Sequence, residues 1–241
     1  MTPAEEPPRA PLIAVTGTDT CVGKTWVACA LVRAWVAAGL RVRVCKPLET
    51  GWPDGSADET DAGRLRLAAG AQQAIEDVCL YRFREPVAPY VAAHRDGVVI
   101  DTDLIARHIE RLRDGCDVVL VEGAGGLLAP LAPGWTLLDL AARTGAAVLV
   151  VVADRLGCLN HALLTERALG TAGVHHLGFV MNLRPGTEDP SRLSNAKTLG
   201  EWTHAPIRRA PERADSEAWG RIAEAILDGS GERGRREPPQ S

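Results

Sequence analysis

Aromatic residues are scarce: Phe, Trp and Tyr together make up 4% of the 241 residues, so an apolar core has to be assembled from Ala, Val and Leu. No apolar run approaches the ~20 residues needed to cross a bilayer. The opening segment is proline-rich and acidic and has no apolar signal core. Positive charge is not in excess either. Lys and Arg number 27 against 31 Asp and Glu, a formal charge of −4, which offers no bulk attraction to nucleic acid or an anionic membrane. No nucleic acid and no membrane are expected as partners, and the expected compartment is cytoplasmic. The six cysteines form no Cys-x-x-Cys pair and most lie inside apolar runs, the pattern of reduced, buried thiols. Cys21 is the exception, because it falls in a Gly/Thr-rich turn. No internal repeat and no long linker divide the chain. One domain is expected over residues 12–228, with residues 1–11 and 229–241 disordered on composition.

What is present is concentrated near the start. An apolar run, Leu12-Ile13-Ala14-Val15, leads into Thr16-Gly17-Thr18-Asp19-Thr20-Cys21-Val22-Gly23-Lys24-Thr25, and a helix-period run follows from Trp26. Strand, turn ending Gly-Lys-Thr, helix is the layout of a phosphate-binding P-loop. Backbone N–H groups of the turn surround a phosphate and the following helix adds the positive end of its dipole. Lys24 would reach the β/γ-phosphates and the Thr25 hydroxyl would ligate Mg²⁺. Thr18 stands where the strict pattern has glycine, with Gly17 one residue early.

Strand signals recur at residues 12–16, 41–46, 117–121, 147–153 and 177–181, with helical stretches at 24–38, 60–69, 101–113, 160–172, 190–202 and 216–227. Alternation of this kind predicts an α/β fold: a doubly wound, mostly parallel sheet with helices on both faces. Ligands gather at the carboxyl ends of such strands. Lys46-Pro47-Leu48-Glu49-Thr50-Gly51 follows the second strand, and a second lysine there can neutralise charge on a transferring phosphoryl group; taken alone, it reads better as a strand-end cap. Glu122-Gly123-Ala124-Gly125-Gly126 follows the third, placing a carboxylate where a Mg²⁺-holding acid sits beside a P-loop. Asp61 is one of several acids, with Asp54, Asp58 and Glu59, that residue chemistry alone does not separate. Asn182 closes the last strand, where its amide could read an adenine edge.

Taken together, five segments resemble the dethiobiotin synthetases, P-loop ligases of biotin biosynthesis. They are the loop at residues 15–25, the Lys46–Gly51 turn, Glu85-Pro86-Val87-Ala88-Pro89, residues 121–131, and Leu156-Gly157-Cys158-Leu159-Asn160-His161. Gly178-Phe179-Val180-Met181-Asn182 fits as well, in the family's order. The resemblance implies an ATP- and Mg²⁺-dependent ligase that joins CO₂ (or bicarbonate) to 7,8-diaminononanoate through a carbamate and a carbamic–phosphoric anhydride. It assigns Lys46 and Lys24 to catalysis, and Thr25, Asp61 and Glu122 to the metal. Cys21, Val22, Gly23, Lys24, Thr25, Trp26, Asp61, Glu122, Gly123, Ala124, Gly125, Asn182 and Pro211 fall to the nucleotide and its metal. Thr18, Thr50, Gly126 and Asn160 fall to the diamine side, Asn160 serving the partner's site in a homodimer; an N-cap for the helix at 160–172 is its other role. Cys21 stands where many members carry Glu, and Glu49 adds negative charge beside an anionic site unless it points to solvent. Two other P-loop classes compete. Partitioning and septum-site switch ATPases carry a lysine where Asp19 stands, and amidoligases of the cobyrinic acid synthase type add a glutamine-processing domain for which there is no room.

Overall fold

Alternate residues of the first apolar run point to opposite faces of a sheet. In the computed structural model, which describes residues 9–183, 189–211 and 215–231, Ile13 and Val15 pack on one face with Val27, Leu31, Leu65, Trp219 and Ile226. Leu12 and Ala14 pack on the other with Ile105, Ile109, Leu137, Leu140, Ala162 and Leu169. Both faces being covered explains why the central strands are continuous Val/Leu runs and not alternating ones.

The chain runs β1 (Leu12–Gly17), α1 (Lys24–Ala37), β2 (Val42–Cys45), β3 (Leu48–Thr50), α2 (Asp61–Ala68), α3 (Ile75–Val78), β4 (Tyr81–Phe83), α4 (Pro89–Arg95) and α5 (Thr102–Leu112). It continues β5 (Val118–Gly126), α6 (Leu137–Thr144), β6 (Ala147–Ala153), α7 (Cys158–Thr171), β7 (His176–Asn182), α8 (Asn195–Trp202), β8 (Ile207–Arg209) and α9 (Ser216–Gly231). The main sheet has the order β2-β5-β1-β6-β7-β8 and every pairing in it is parallel. The expected doubly wound sheet, helices on both faces, is therefore the observed one. β1 sits centrally between β5 and β6, so the loop after it opens at the switch point where such folds bind ligands. β3 and β4 form a separate parallel pair.

Several boundaries differ from expectation. The second strand ends at Cys45, and the N–H of Lys46 donates to the Val78 carbonyl (2.8 Å), which turns the chain out of the sheet. β3, β4 and β8 have three residues each, too few for a periodic signal. The helix expected at 190–202 splits into a 3-10 turn at Pro190–Leu193 and α8. α6 was not anticipated although Thr136 and Asp139 form a reciprocal capping box, a signal present in the sequence. Asp101 caps α5 as expected, accepting the N–H of Leu104 (2.8 Å). At the start, Ala10 is buried and its carbonyl accepts from Arg113 Nε (2.8 Å), while the Pro11 carbonyl accepts the N–H of Val119, so packing begins before residue 12. α9 extends to Gly231, beyond the residue 229 at which a disordered tail was expected. The rest of the segments expected to be disordered, residues 1–8 and 232–241, lie outside the described residues. Among the described residues no helix is long and apolar enough to cross a membrane.

Candidate active site

The turn after β1 is held by small residues and by its own lysine. A Cβ on Gly17 would lie 2.5 Å from Val22 Cγ2, so only glycine lets the loop fold back over the end of the strand. Gly23 has φ +98° and a Cβ there would meet Asn182 Nδ2 at 2.1 Å. It caps α1 without a side chain, which leaves the first-turn N–H groups for a ligand. Lys24 Nζ donates to the Asp19 carbonyl (3.0 Å), closing the loop on itself. Cys21 adopts φ +56°, a left-handed conformation uncommon outside glycine, with its side chain exposed.

Four side chains named by the sequence meet beside this loop. Lys46 Nζ donates to Glu122 Oε1 (2.6 Å) and lies 3.3 Å from Asp61 Oδ2; Thr25 Oγ1 donates to the same Glu122 oxygen (2.8 Å). Four elements supply them: α1, the Lys46 turn after β2, α2 and β5. Side-chain exposure is 5% for Lys46, 0% for Glu122 and 39% for Asp61. Burial alone would lower the Lys46 pKa, but the Glu122, Asp61 and Glu49 carboxylates outweigh it and hold the ammonium above its ordinary value. Lys24 goes the other way: burial first, then repulsion from Lys46, lowers its pKa.

Glu122 Oε2 is buried and has no hydrogen-bond partner. An orphaned carboxylate oxygen beside a Thr hydroxyl and a second carboxylate is an all-oxygen donor set suited to Mg²⁺. Among the described residues no group of three or more His, Cys, Asp or Glu could hold a metal ion. Mg²⁺ in phosphoryl-transfer sites is held by one or two carboxylates together with substrate phosphates. The residues present fit the ion.

A cavity of about 970 Å³ opens here. Cys21, Gly23, Lys24, Thr25, Trp26 and Asp61 line it, together with Asn182, which abuts Gly23, and Pro211. Five wall residues carried no sequence pattern: Arg64, Asp154, Leu183, Arg209 and Ala210. Asn182 donates through Nδ2 to the Val22 carbonyl (2.8 Å), so part of its amide braces the loop. Trp26 packs edge-on against Trp219 (centroids 5.2 Å apart). A second cavity, about 420 Å³, lies on the far side of the loop, lined by Thr18, Gly125, Gly126, Leu128, His161 and Leu164.

The remaining expected residues have these surroundings. The glycines after Glu122 are closely packed: a Cβ on Gly123 would meet Leu137 Cδ2 at 2.4 Å, one on Gly125 would meet Ala129 Cβ at 2.9 Å, and Gly126 abuts the Gly17 carbonyl. Ala124 belongs to β5 and borders neither cavity. Thr50 ends β3 and Asn160 lies exposed in the first turn of α7; neither lines a cavity of the single chain. Asn160 is not an N-cap, because Gly157 holds that position in the left-handed conformation. Glu49 points neither to solvent nor into the cavity. It is buried, and its carboxylate accepts the N–H groups of Asp61 (2.8 Å) and Ala62 (2.9 Å).

A family model described as an AAA domain matches residues 12–210. The ATP-dependent dethiobiotin synthetase BioD of Anaeromyxobacter dehalogenans is 42% identical over 214 residues, covering 88% of this chain and 95% of that protein. The protein of the same name from Aromatoleum aromaticum is 41% identical over 205 residues, covering 83% and 88%. Among solved structures, the septum site-determining protein MinD of Pyrococcus horikoshii complexed with Mg-ADP superposes with a TM-score of 0.51 at 17% identity, covering 92% of this chain and 94% of that one. MinD of Aquifex aeolicus gives 0.54 at 16% identity, covering 96% and 100%. At such identities the likeness to the MinD structures concerns the fold alone.

Proposed function

The chain belongs to the dethiobiotin synthetase family, and from that premise we infer that it closes the ureido ring of dethiobiotin from 7,8-diaminononanoate and CO₂, converting ATP to ADP and phosphate. The observation that carries this is the Lys46–Glu122–Thr25–Asp61 cluster at the phosphate end of the cavity. It gathers positive charge and oxygen donors where three anionic species meet.

The atoms balance in three steps. One amine of the substrate adds to CO₂ and loses a proton, giving a carbamate. A carbamate oxygen attacks the γ-phosphorus and ADP leaves, giving a carbamic–phosphoric anhydride. The second amine attacks the anhydride carbon, the C–O bond to phosphate breaks, and the ring closes with loss of a proton. Carbamate, ATP and anhydride repel one another, so the protein's contribution is largely charge and position. Lys46, kept protonated by its carboxylates, would face the carbamate and the transferring phosphoryl oxygens. Lys24 would exchange the Asp19 carbonyl for β/γ-phosphate oxygens. Thr25, Asp61 and Glu122 would hold Mg²⁺, which when bound with the nucleotide supplies Lewis-acid neutralisation of phosphate charge. Residues 21–26, with Asn182 and Pro211, form the nucleotide wall, and Thr18 and Gly126 face the diamine.

The second cavity supports a homodimer in which a partner covers it. Leu128 and Leu164 line it and are 57% and 56% exposed, and Asn160 sits beside them on α7. In that arrangement Asn160 reaches the partner's diamine. A formal charge of −4 gives no reason to invoke nucleic acid or membrane, and the reaction suits the cytoplasm.

Incubation with 7,8-diaminononanoate, bicarbonate, Mg²⁺ and ATP is expected to yield dethiobiotin and ADP in equal amounts. ATP hydrolysis without dethiobiotin, stimulated by DNA or lipid vesicles, would overturn this function in favour of a switch ATPase.

A further inference from the structure

Glu49 is a buried carboxylate to which the reaction gives no direct part. It is 8% exposed and belongs to β3, which begins two residues after Lys46. One oxygen accepts the N–H of Asp61 at 2.8 Å and the other the N–H of Ala62 at 2.9 Å. The Thr60 hydroxyl accepts the next N–H, that of Gly63, at 3.0 Å. The first three amides of α2 are thus all bound by side chains, two of them by a residue from another element.

An ordinary cap does not need this arrangement. Helix N-termini are usually satisfied by the residue just before them, and Thr60 already does so. Burying a carboxylate carries a desolvation penalty that a local hydroxyl avoids. The distant carboxylate joins the turn that bears Lys46 to the helix that bears Asp61. Lys46 and Asp61 are the two groups brought within 3.3 Å of one another at the cluster. The start of α2 has little other freedom, because a Cβ on Gly63 would meet the Ala57 carbonyl at 1.9 Å.

We propose that Glu49 is a positioning residue that fixes Asp61, through the first turn of α2, at the metal-binding cluster beside Lys46 and Glu122. This rests on the assignment of Asp61 and Glu122 to Mg²⁺. Glu49 lines neither cavity; it acts through Asp61. Outer partners of metal ligands typically carry 10–100-fold of the metal affinity, and this sets the expected effect.

The test uses the full chain with ADP, Mn²⁺ as a paramagnetic stand-in for Mg²⁺, and electron paramagnetic resonance to count free metal. Glu49→Ala is expected to weaken Mn²⁺ binding to the ADP complex by about 10-fold or more, with ADP binding in EDTA within about twofold of wild type. Glu49→Gln, which keeps one acceptor and loses the charge, should fall between them and serves where the alanine variant fails to fold. Asp61→Asn should weaken Mn²⁺ similarly, and the Glu49→Ala/Asp61→Asn double variant should be no weaker than Asp61→Asn alone, since one residue acts through the other. Unchanged Mn²⁺ affinity in both Glu49 variants beside a weakened Asp61→Asn would overturn the proposal and leave Glu49 a helix cap. Additive losses in the double variant would also overturn it. Unchanged affinity in Asp61→Asn would overturn the metal assignment itself, and the proposal with it.

Discussion

At the phosphate end of the large cavity, side chains hold side chains: Lys46 on Glu122 at 2.6 Å, Thr25 on the same carboxylate at 2.8 Å, Asp61 against Lys46 at 3.3 Å. The rest of the wall is Met181, Leu183, Ala210 and Pro211 with the charged residues Asp154 and Arg209, and the amide among them, Asn182, is turned to the Val22 carbonyl. The first region is organised by buried charge before any ligand arrives. The second is organised mainly by backbone and apolar surface. Variants at the first end should therefore alter turnover, and variants at the second should alter affinity.

Lys46→Ala is the strongest test of that division. Loss of the ammonium should lower kcat by at least about 10²–10³-fold, while ATP binding measured by calorimetry stays within about threefold of wild type. Without Mg²⁺ the variant should also melt earlier, since removing one partner strands Glu122 as a buried charge, a loss typically of about 3–5 kcal/mol. Turnover that survives would make Lys46 a structural residue.

At the other end, Asn182→Ala removes the brace on the loop. One hydrogen bond of about 1 kcal/mol predicts a rise of several-fold in KM for ATP with kcat nearly unchanged. A fall in kcat without a KM effect would erase the contrast. A smaller shift is expected at Cys21, which lines the cavity in a strained backbone conformation. Titrating ATP, GTP and CTP against wild type and Cys21→Glu should show a change in relative preference; identical profiles would show that Cys21 does not tune the nucleotide site.

The smallest effect lies outside both ends and serves as a control. His176, at the start of β7, is buried edge-on to Phe179, 3.8 Å from Glu166 and next to His175. Burial, only partly offset by Glu166 and the Gly178 backbone, lowers its pKa below the ordinary histidine value of 6.5. The native state then binds fewer protons than the unfolded chain just below that value, so stability is full above it and lost as pH falls through the folded value. Melting temperature should drop from pH 7.5 to 5.5 in wild type and drop less in His176→Gln, with kcat and KM at pH 7.5 unaffected. An equal drop in both proteins would remove His176 from the account.

The same contrast explains what could be read from the residues alone. Lys24 and Thr25 open the first helix, Lys46 follows β2, and Glu122 stands where the apolar run of β5 gives way to glycines, so position plus residue type announces them. Asp61 is indistinguishable from Asp54, Asp58 and Glu59 except by resemblance, because its contacts with Lys46 and Glu49, distant in the chain, set it apart. The role of Glu49 is hidden for the same reason: its partners are backbone amides, which leave no trace in a sequence. Arg64, Asp154, Leu183, Arg209 and Ala210 reach the cavity through topology, and β3, β4 and β8 are too short to show a period. The three glycines after Glu122 were legible as close approaches, but the near neighbours are Leu137, Ala129 and β1.

Everything at the phosphate end converges on one bond, that between a carbamate oxygen and the γ-phosphorus. Running the reaction with ¹⁸O-labelled bicarbonate, diamine, Mg²⁺ and ATP, quenching before exchange with water, and weighing the released phosphate tests that bond directly. One labelled oxygen per phosphate, in step with dethiobiotin formed, is the predicted result. Dethiobiotin accompanied by unlabelled phosphate would contradict the account.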